Sequence, residues 1–225
     1  MRKIVLVIIF LYSSLNTALG QNFYKDMITP KNKVMIGIGP AIMYSNTWGG
    51  FRAMDFKILP SFTAGYSYQV NPHLSIRTSA GLQWVESNLS LSDEIKQAWG
   101  QMNRAHAFQG QAYYIDLMPV VQLFPARHQG ETFNVYLGIG LGFMQVYSEQ
   151  QRMVDYQNIS SREQVGTAYI PFRVGIGQKL NETWELLLEG TIMGTFSDEL
   201  DGNPGTKRIQ NDHLLQAQLI LKKYF

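Results

Sequence analysis

From residue 33 onward, apolar residues recur at every second position in segments of roughly constant length. A period of two is the signature of β-strands, whose successive side chains point to opposite faces. Eight such segments are read: 33–45, 57–70, 74–86, 111–124, 132–147, 167–180, 183–195 and 212–225. In the first, Val34, Ile36, Ile38, Pro40, Ile42 and Tyr44 share one face, while Gly37, Gly39 and Ala41 share the other. In the third, Leu74, Ile76, Ala80, Leu82 and Trp84 oppose Ser75, Arg77, Ser79, Gly81 and Gln83. In the eighth, Leu215, Ala217, Leu219, Leu221 and Phe225 oppose Gln216, Gln218 and Lys222.

Two-faced strands suit a soluble β-sandwich with its apolar faces inward, or a membrane barrel with them outward. The number of aligned apolar faces favours the barrel, as do strands longer than the usual five or six residues. Aromatic residues near strand ends (Tyr44, Tyr68, Trp84, Trp184 and Phe225) fit interfacial girdles. The fold expected is all-β, an eight-stranded antiparallel up-and-down transmembrane β-barrel.

Connection lengths supply a second, independent pattern. Asn71-Pro72-His73, Asn181-Glu182 and 125–131 are short, whereas 46–56, 87–110, 148–166 and 196–211 are long. Outer-membrane barrels have short periplasmic turns and long extracellular loops, and these lengths alternate in that order. Segment 91–105 carries a predicted short helix with Ser92 at its N-cap.

Ahead of the first strand, Arg2 and Lys3 precede an apolar run from Ile4 to Leu11, and Ala18-Leu19-Gly20 forms a small-x-small site. This reads as a signal peptide over 1–20, too short to span a membrane, followed by a barrel domain over 21–225. The expected location is the bacterial outer membrane. Without Arg2 and Lys3, the 19 basic residues become 17 against 17 acidic ones, so net charge gives no sign of nucleic acid. The mean hydropathy of -0.12 is too low for a bundle of membrane helices. The absence of Cys excludes disulfides, thiolate metal sites, a Cys nucleophile and a lipoprotein anchor.

Several ionisable residues fall on inward positions: Arg77, Asp116, Arg173, Lys179, Glu185, Glu189 and Lys222. An eight-stranded barrel is filled by its own side chains, so these groups predict an ion-paired lumen plug rather than a conducting pore. Asp116 and Glu189 are the expected partners of Arg77 and Arg173.

Barrels of this size include enzymes that act on lipid A and need a His beside a Ser nucleophile. His73-Leu74-Ser75 has a His-x-Ser spacing but falls at a periplasmic turn. His106 shares a loop with Ser87, Ser90 and Ser92, while His128 and His213 stand alone. No catalytic, cofactor or metal residue is assigned. The Gly-Ile-Gly repeats at 37–39, 138–140 and 175–177 follow strand period, making room in the lumen rather than a nucleotide fingerprint. Leu219, Leu221 and Phe225 form the expected assembly signal of the last strand, from which Ile220 and Lys223 depart.

The stretch 168–203 carries Pro171-Phe172, Gly175 and Gly177 in one strand, then an Asn turn and a strand with a central Glu. It continues into Ser197-Asp198-Glu199-Leu200-Asp201. It resembles a family of Bacteroidetes outer-membrane β-barrels that includes the PorG component of the type IX secretion system. Glu199 stands where that family has an aromatic residue. Segments 58–86 and 112–147 resemble the family more loosely. The resemblance implies a barrel associated with gliding or type IX secretion, with periplasmic or outer-membrane secretion proteins as partners.

The leading expectation is a non-enzymatic structural or assembly component, contacting outer-membrane lipid and the outer-membrane assembly machinery. A lipid-A-modifying enzyme and a surface adhesion or binding barrel are the alternatives. Asp198 and Asp201 mark an expected interaction loop, where they cap the turn locally or share a cation.

Overall fold

A computed structural model describes residues 31–44, 57–88, 91–123, 133–201, 203 and 212–225. The expected signal peptide, loop 46–56, turn 125–131 and most of 202–211 lie outside these residues. The elements are β1 (Asn32–Tyr44), β2 (Leu59–Asn71), β3 (Leu74–Asn88), α1 (Asp93–Gln101), β4 (Ala107–Gln122), β5 (Phe133–Ile139), β6 (Leu141–Val154), β7 (Gln157–Lys179), β8 (Trp184–Thr195) and β9 (His213–Tyr224).

Neighbouring strands pair antiparallel, and β1 pairs with both β2 and β9, so the sheet closes on itself. Closure removes the unpaired edge that hydrocarbon would not tolerate. The fifth strand expected at 132–147 is interrupted at Gly140. The register nevertheless runs on: Val120 faces Gly138 on one side and Leu117 faces Leu141 on the other. β5 and β6 are therefore two halves of one strand in an eight-stranded ring. A Cβ on Gly140 would lie 2.3–2.9 Å from atoms of Leu117 and Met118 on β4, so only glycine fits this approach.

Exposure is inverted relative to a water-soluble fold. Ile36 and Leu141 are 61% and 69% exposed, whereas Arg173 and Glu189 are each 1% exposed. A sandwich would bury the former and solvate the latter, so the alternation requires lipid outside and a closed lumen inside. The outward apolar positions on β3 run from Leu74 to Trp84. Ten residues at about 3.4 Å each, tilted by about 40°, span roughly 26 Å, the height of a barrel's apolar band.

The short turns close through asparagine. Asn71 Oδ1 accepts from the backbone N–H of His73 and Leu74, each at 2.8 Å. Asn181 Oδ1 accepts from the N–H of Thr183 and Trp184, each at 2.9 Å. A side chain that mimics a backbone turn in this way is why Asn suits these positions.

Two of the long connections differ from the expectation. Segment 148–166 is a continuation of β6 and β7, joined by a two-residue turn at Asp155 and Tyr156 with φ of 51° and 59°. Positive φ at both central residues matches the hairpin turn whose twist suits its strands. Likewise β3 extends to Asn88 and β4 begins at Ala107, leaving a shorter connection that holds α1. Ser92 occupies the N-cap position but makes no side-chain capping bond.

These extensions make the ring uneven. β3, β4, β6 and β7 stay paired up to the row Asn88–Ala107–Gln151–Ser160. Among the described residues, β1 and β9 are paired as far as Tyr44 and His213, β8 as far as Thr195, and β7 meets β8 only from Tyr169 onward. One half of the barrel thus continues as a raised four-stranded wall. α1 leans on it: Gln97 Oε1 accepts from the Tyr156 N–H at 2.9 Å.

Candidate functional site

The inward charges meet in one layer across the lumen. Arg77 donates through both terminal nitrogens to Glu189, one bond measuring 3.2 Å. Arg173 donates to Asp116 Oδ2 at 2.6 Å and to Ser79 Oγ at 2.7 Å, and its Nε lies 3.9 Å from Glu189 Oε1. Tyr169 OH donates to Asp116 Oδ2 at 2.8 Å, and Tyr136 OH donates to Glu189. The four side chains of the two ion pairs are at most 3% exposed. Two guanidinium groups and two carboxylates cancel in charge, which is what makes such deep burial tolerable.

A second polar layer lies nearer the C-terminus. Lys222 Nζ donates to Glu185 Oε2 at 3.0 Å, Asn134 donates to Glu185 Oε1 at 3.2 Å, and Tyr224 OH donates to the same carboxylate. Lys33 donates to Gln69 and sits over the Tyr224 ring, 5.0 Å from its centroid. Lys179, also read as inward, is half-buried with its ammonium 5.9 Å from that ring.

Apolar clusters flank the charged layer, beside a buried hydrogen-bonded set of Thr63, Tyr114, Gln83, Gln216 and Gln218. Met35, Met118, Val120, Leu187 and Ile220 pack on the terminal side. Met43, Val85, Phe108, Met144, Met193 and Leu214 pack at the opposite end. The lumen is therefore a layered core in which ion-paired groups alternate with apolar clusters. The tyrosines in it lie over glycines directly across the ladder: Tyr114 over Gly81, Tyr169 over Gly142 and Tyr136 over Gly175. A Cβ at any of the three would come within 2.4 Å of the ring it faces. A cavity beside Arg77, Tyr136 and Lys222 offers about 10 Å³, room for about one water.

The segment read as an interaction loop is partly a cork. Leu200 is fully buried and joins the apolar cluster at the raised end. Asp201 is buried too, and its Oδ1 accepts from the Asn203 N–H at 2.8 Å, a local cap. Asn203 also bridges the backbone of Ala105, accepting at 2.8 Å and donating at 2.9 Å. Asp198 is half-buried. Asp212 Oδ2 accepts from the Leu200 N–H at 2.9 Å. Burial and the nearby Asp201 push the Asp212 carboxyl up to about 9, so it is protonated at neutral pH.

Leu219 and Phe225 project outward, and Leu221 is half-buried between them. The Lys223 ammonium lies 5.3 Å from the Trp184 ring centroid and 5.0 Å from that of Phe225, so its departure from an apolar residue is masked by two aromatic faces. His106 is buried, and burial together with Lys96 lowers its pKa. His213 stacks on Tyr44 at 6.3 Å, and His73 is exposed at a turn. Among the described residues no serine hydroxyl is hydrogen-bonded to His106, whose Nδ1 has no partner. Nor does any group of three or more His, Cys, Asp or Glu among them form a metal site.

No family model matches the chain, and no curated protein is detectably similar in sequence. Solved structures do match. Neisserial surface protein A superposes with a TM-score of 0.52 at 11% identity, over 86% of this chain and 97% of that one. A major outer membrane protein from Thermus thermophilus gives 0.52 at 12% identity, over 86% and 99%. Both likenesses concern the fold alone. Together with the outward apolar band, they make this an outer-membrane β-barrel.

Proposed function

We propose that the chain is a non-enzymatic structural or assembly component of the bacterial outer membrane, working through surfaces rather than through its lumen. The observation that carries this reading is the filled interior. Two neutralised ion pairs and two apolar clusters occupy the bore, leaving no passage for a solute and no substrate pocket within it among the described residues. His106, the loop histidine nearest in sequence to several serines, is buried without a serine partner among them, which weighs against the lipid-A enzyme. Membership of the type IX secretion or gliding machinery rests on the stretch 168–203, and its periplasmic or outer-membrane proteins are the partners it suggests. The assembly machinery would read Leu219, Leu221 and Phe225.

Affinity purification from the native outer membrane, with partners identified by mass spectrometry, tests this reading. Recovery of secretion components, and loss of secreted cargo in a deletion strain, is the expected outcome. Normal secretion in the deletion strain would remove the type IX assignment. One observation favours the surface-binding alternative: Tyr156 and Ile159 at the hairpin tip are 69% and 51% exposed. Host-surface or matrix material recovered in place of secretion proteins would support it.

A further inference from the structure

We propose that the outward face of the raised wall holds the saccharide headgroup of an outer-leaflet glycolipid. This rests on the reading that the raised wall stands outside the cell. Three adjacent registers cross β3, β4, β6 and β7 there. The row Trp84–Gln111–Tyr147–Gln164 points outward at the upper limit of the apolar band. The row Glu86–Gln109–Glu149–Arg162 points outward one step further from the membrane. The row between them, through Gly110 and Ser148, turns its side chains to the other face, leaving its backbone as the floor of a transverse groove. The groove is open to solvent along its length and spans about 800 Å³, within the ~300–1,000 Å³ usual for ligand sites.

The two walls divide their chemistry as a glycolipid does. Trp84 and Tyr147 supply aromatic rings to the membrane side of the groove, a chemistry suited to the C–H faces of a sugar ring. Both are held by edge contacts from the apolar band: Phe62 meets Trp84 at 5.8 Å and Tyr113 meets Tyr147 at 5.9 Å. Tyr113 OH donates to Gln111 Oε1 at 2.7 Å, which leaves the Gln111 amide N–H groups to donate into the groove. The outer wall adds amide, carboxylate and guanidinium groups that accept from and donate to hydroxyls. Glu86 is already paired with Lys57, and Arg162 stands opposite Glu149 in the register, so the charges of the outward row cancel. Such a near-neutral lining favours hydroxyls over a bare phosphate. Directly below lie Leu82, Tyr113 and Gln145, and below them Ala80, Ile115 and Phe143, where acyl chains run. The occupant is therefore a sugar carried on lipid, not a soluble one.

The full-length barrel, exchanged in detergent against a rough lipopolysaccharide or phosphatidylglycerol, is weighed by native mass spectrometry. Wild type is expected to retain the glycolipid at about tenfold lower concentration. Trp84→Ala with Tyr147→Ala should abolish that preference while the heat-modifiable gel shift stays intact, and Gln111→Ala with Gln164→Ala should reduce it without touching the aromatic packing. Equal retention of both lipids by wild type, or full preference in both double variants, would overturn the site. Equally strong capture of the free core oligosaccharide would overturn a membrane lipid as its occupant. Asn158→Cys, probed on intact cells with an impermeant maleimide, separates the premise from the proposal. No label overturns the orientation, whereas label without glycolipid preference overturns the site alone.

Discussion

Arg173 bridges two acidic residues on different strands, Asp116 on β4 and Glu189 on β8. Removing it strands a buried carboxylate, which typically costs about 3–5 kcal/mol, against about 0–1 kcal/mol for a solvated pair. Arg173→Met should clearly lower the temperature at which the gel shift is lost. Adding Asp116→Leu should restore part of it, since an apolar pair of similar volume is tolerated in place of a buried ion pair. No change in the single variant would place the guanidinium in solvent. Asp212 behaves in the opposite sense. Its pKa is higher folded than unfolded, so the folded state holds the proton more tightly. The contribution is complete below about 4, the unfolded value. It is lost progressively as pH rises from there to about 9. Asp212→Asn should therefore raise the unfolding temperature at pH 8 and leave it nearly unchanged at pH 3.5. A gain of equal size at both pH values would show that charge is not the cause.

Among the elements, the β6–β7 hairpin departs most from its expected form. Within the apolar band, lipid forces one face to be apolar, and the period of two is plain in the sequence. Beyond the band, Ser148 to Gln164 is mostly polar on both faces, its few apolar residues (Met153, Val154 and Ile159) out of any period, so no alternation marks it as strand. The pairing of tyrosines with glycines was hidden for another reason: it depends on register between strands, whereas Gly81, Gly142 and Gly175 revealed only that space was needed. Leu200 sits in the 196–211 connection, with no periodicity to betray it. The hairpin turn suggests a direct check. Tyr156 carries a side chain at φ 59°, where glycine is at ease. Asp155→Asn with Tyr156→Gly should slow hydrogen exchange of the amides over 152–160. Faster exchange would mean that the Tyr156 side chain, rather than the turn backbone, holds the tip.

For the molecule as a whole, the strand faces and the inward parity of Arg77, Asp116, Arg173 and Glu189 were legible before any coordinates. They follow from one constraint, that lipid outside and a narrow bore inside sort side chains by parity. What parity does not carry is height, and the raised wall arises because four strands outrun the membrane. Its orientation carries a further expectation: Asn158→Cys should react with an impermeant reagent on intact cells, while Glu182→Cys, at the opposite rim, should react only after permeabilisation. The reverse pattern would invert the barrel. The filled lumen is the feature on which a surface-acting, non-enzymatic role depends. Single-channel recording of the purified barrel in planar bilayers tests it most directly. A flat current with no discrete steps is expected across the accessible voltage range, and stable conductance steps would contradict a bore closed by Arg77, Asp116, Arg173 and Glu189.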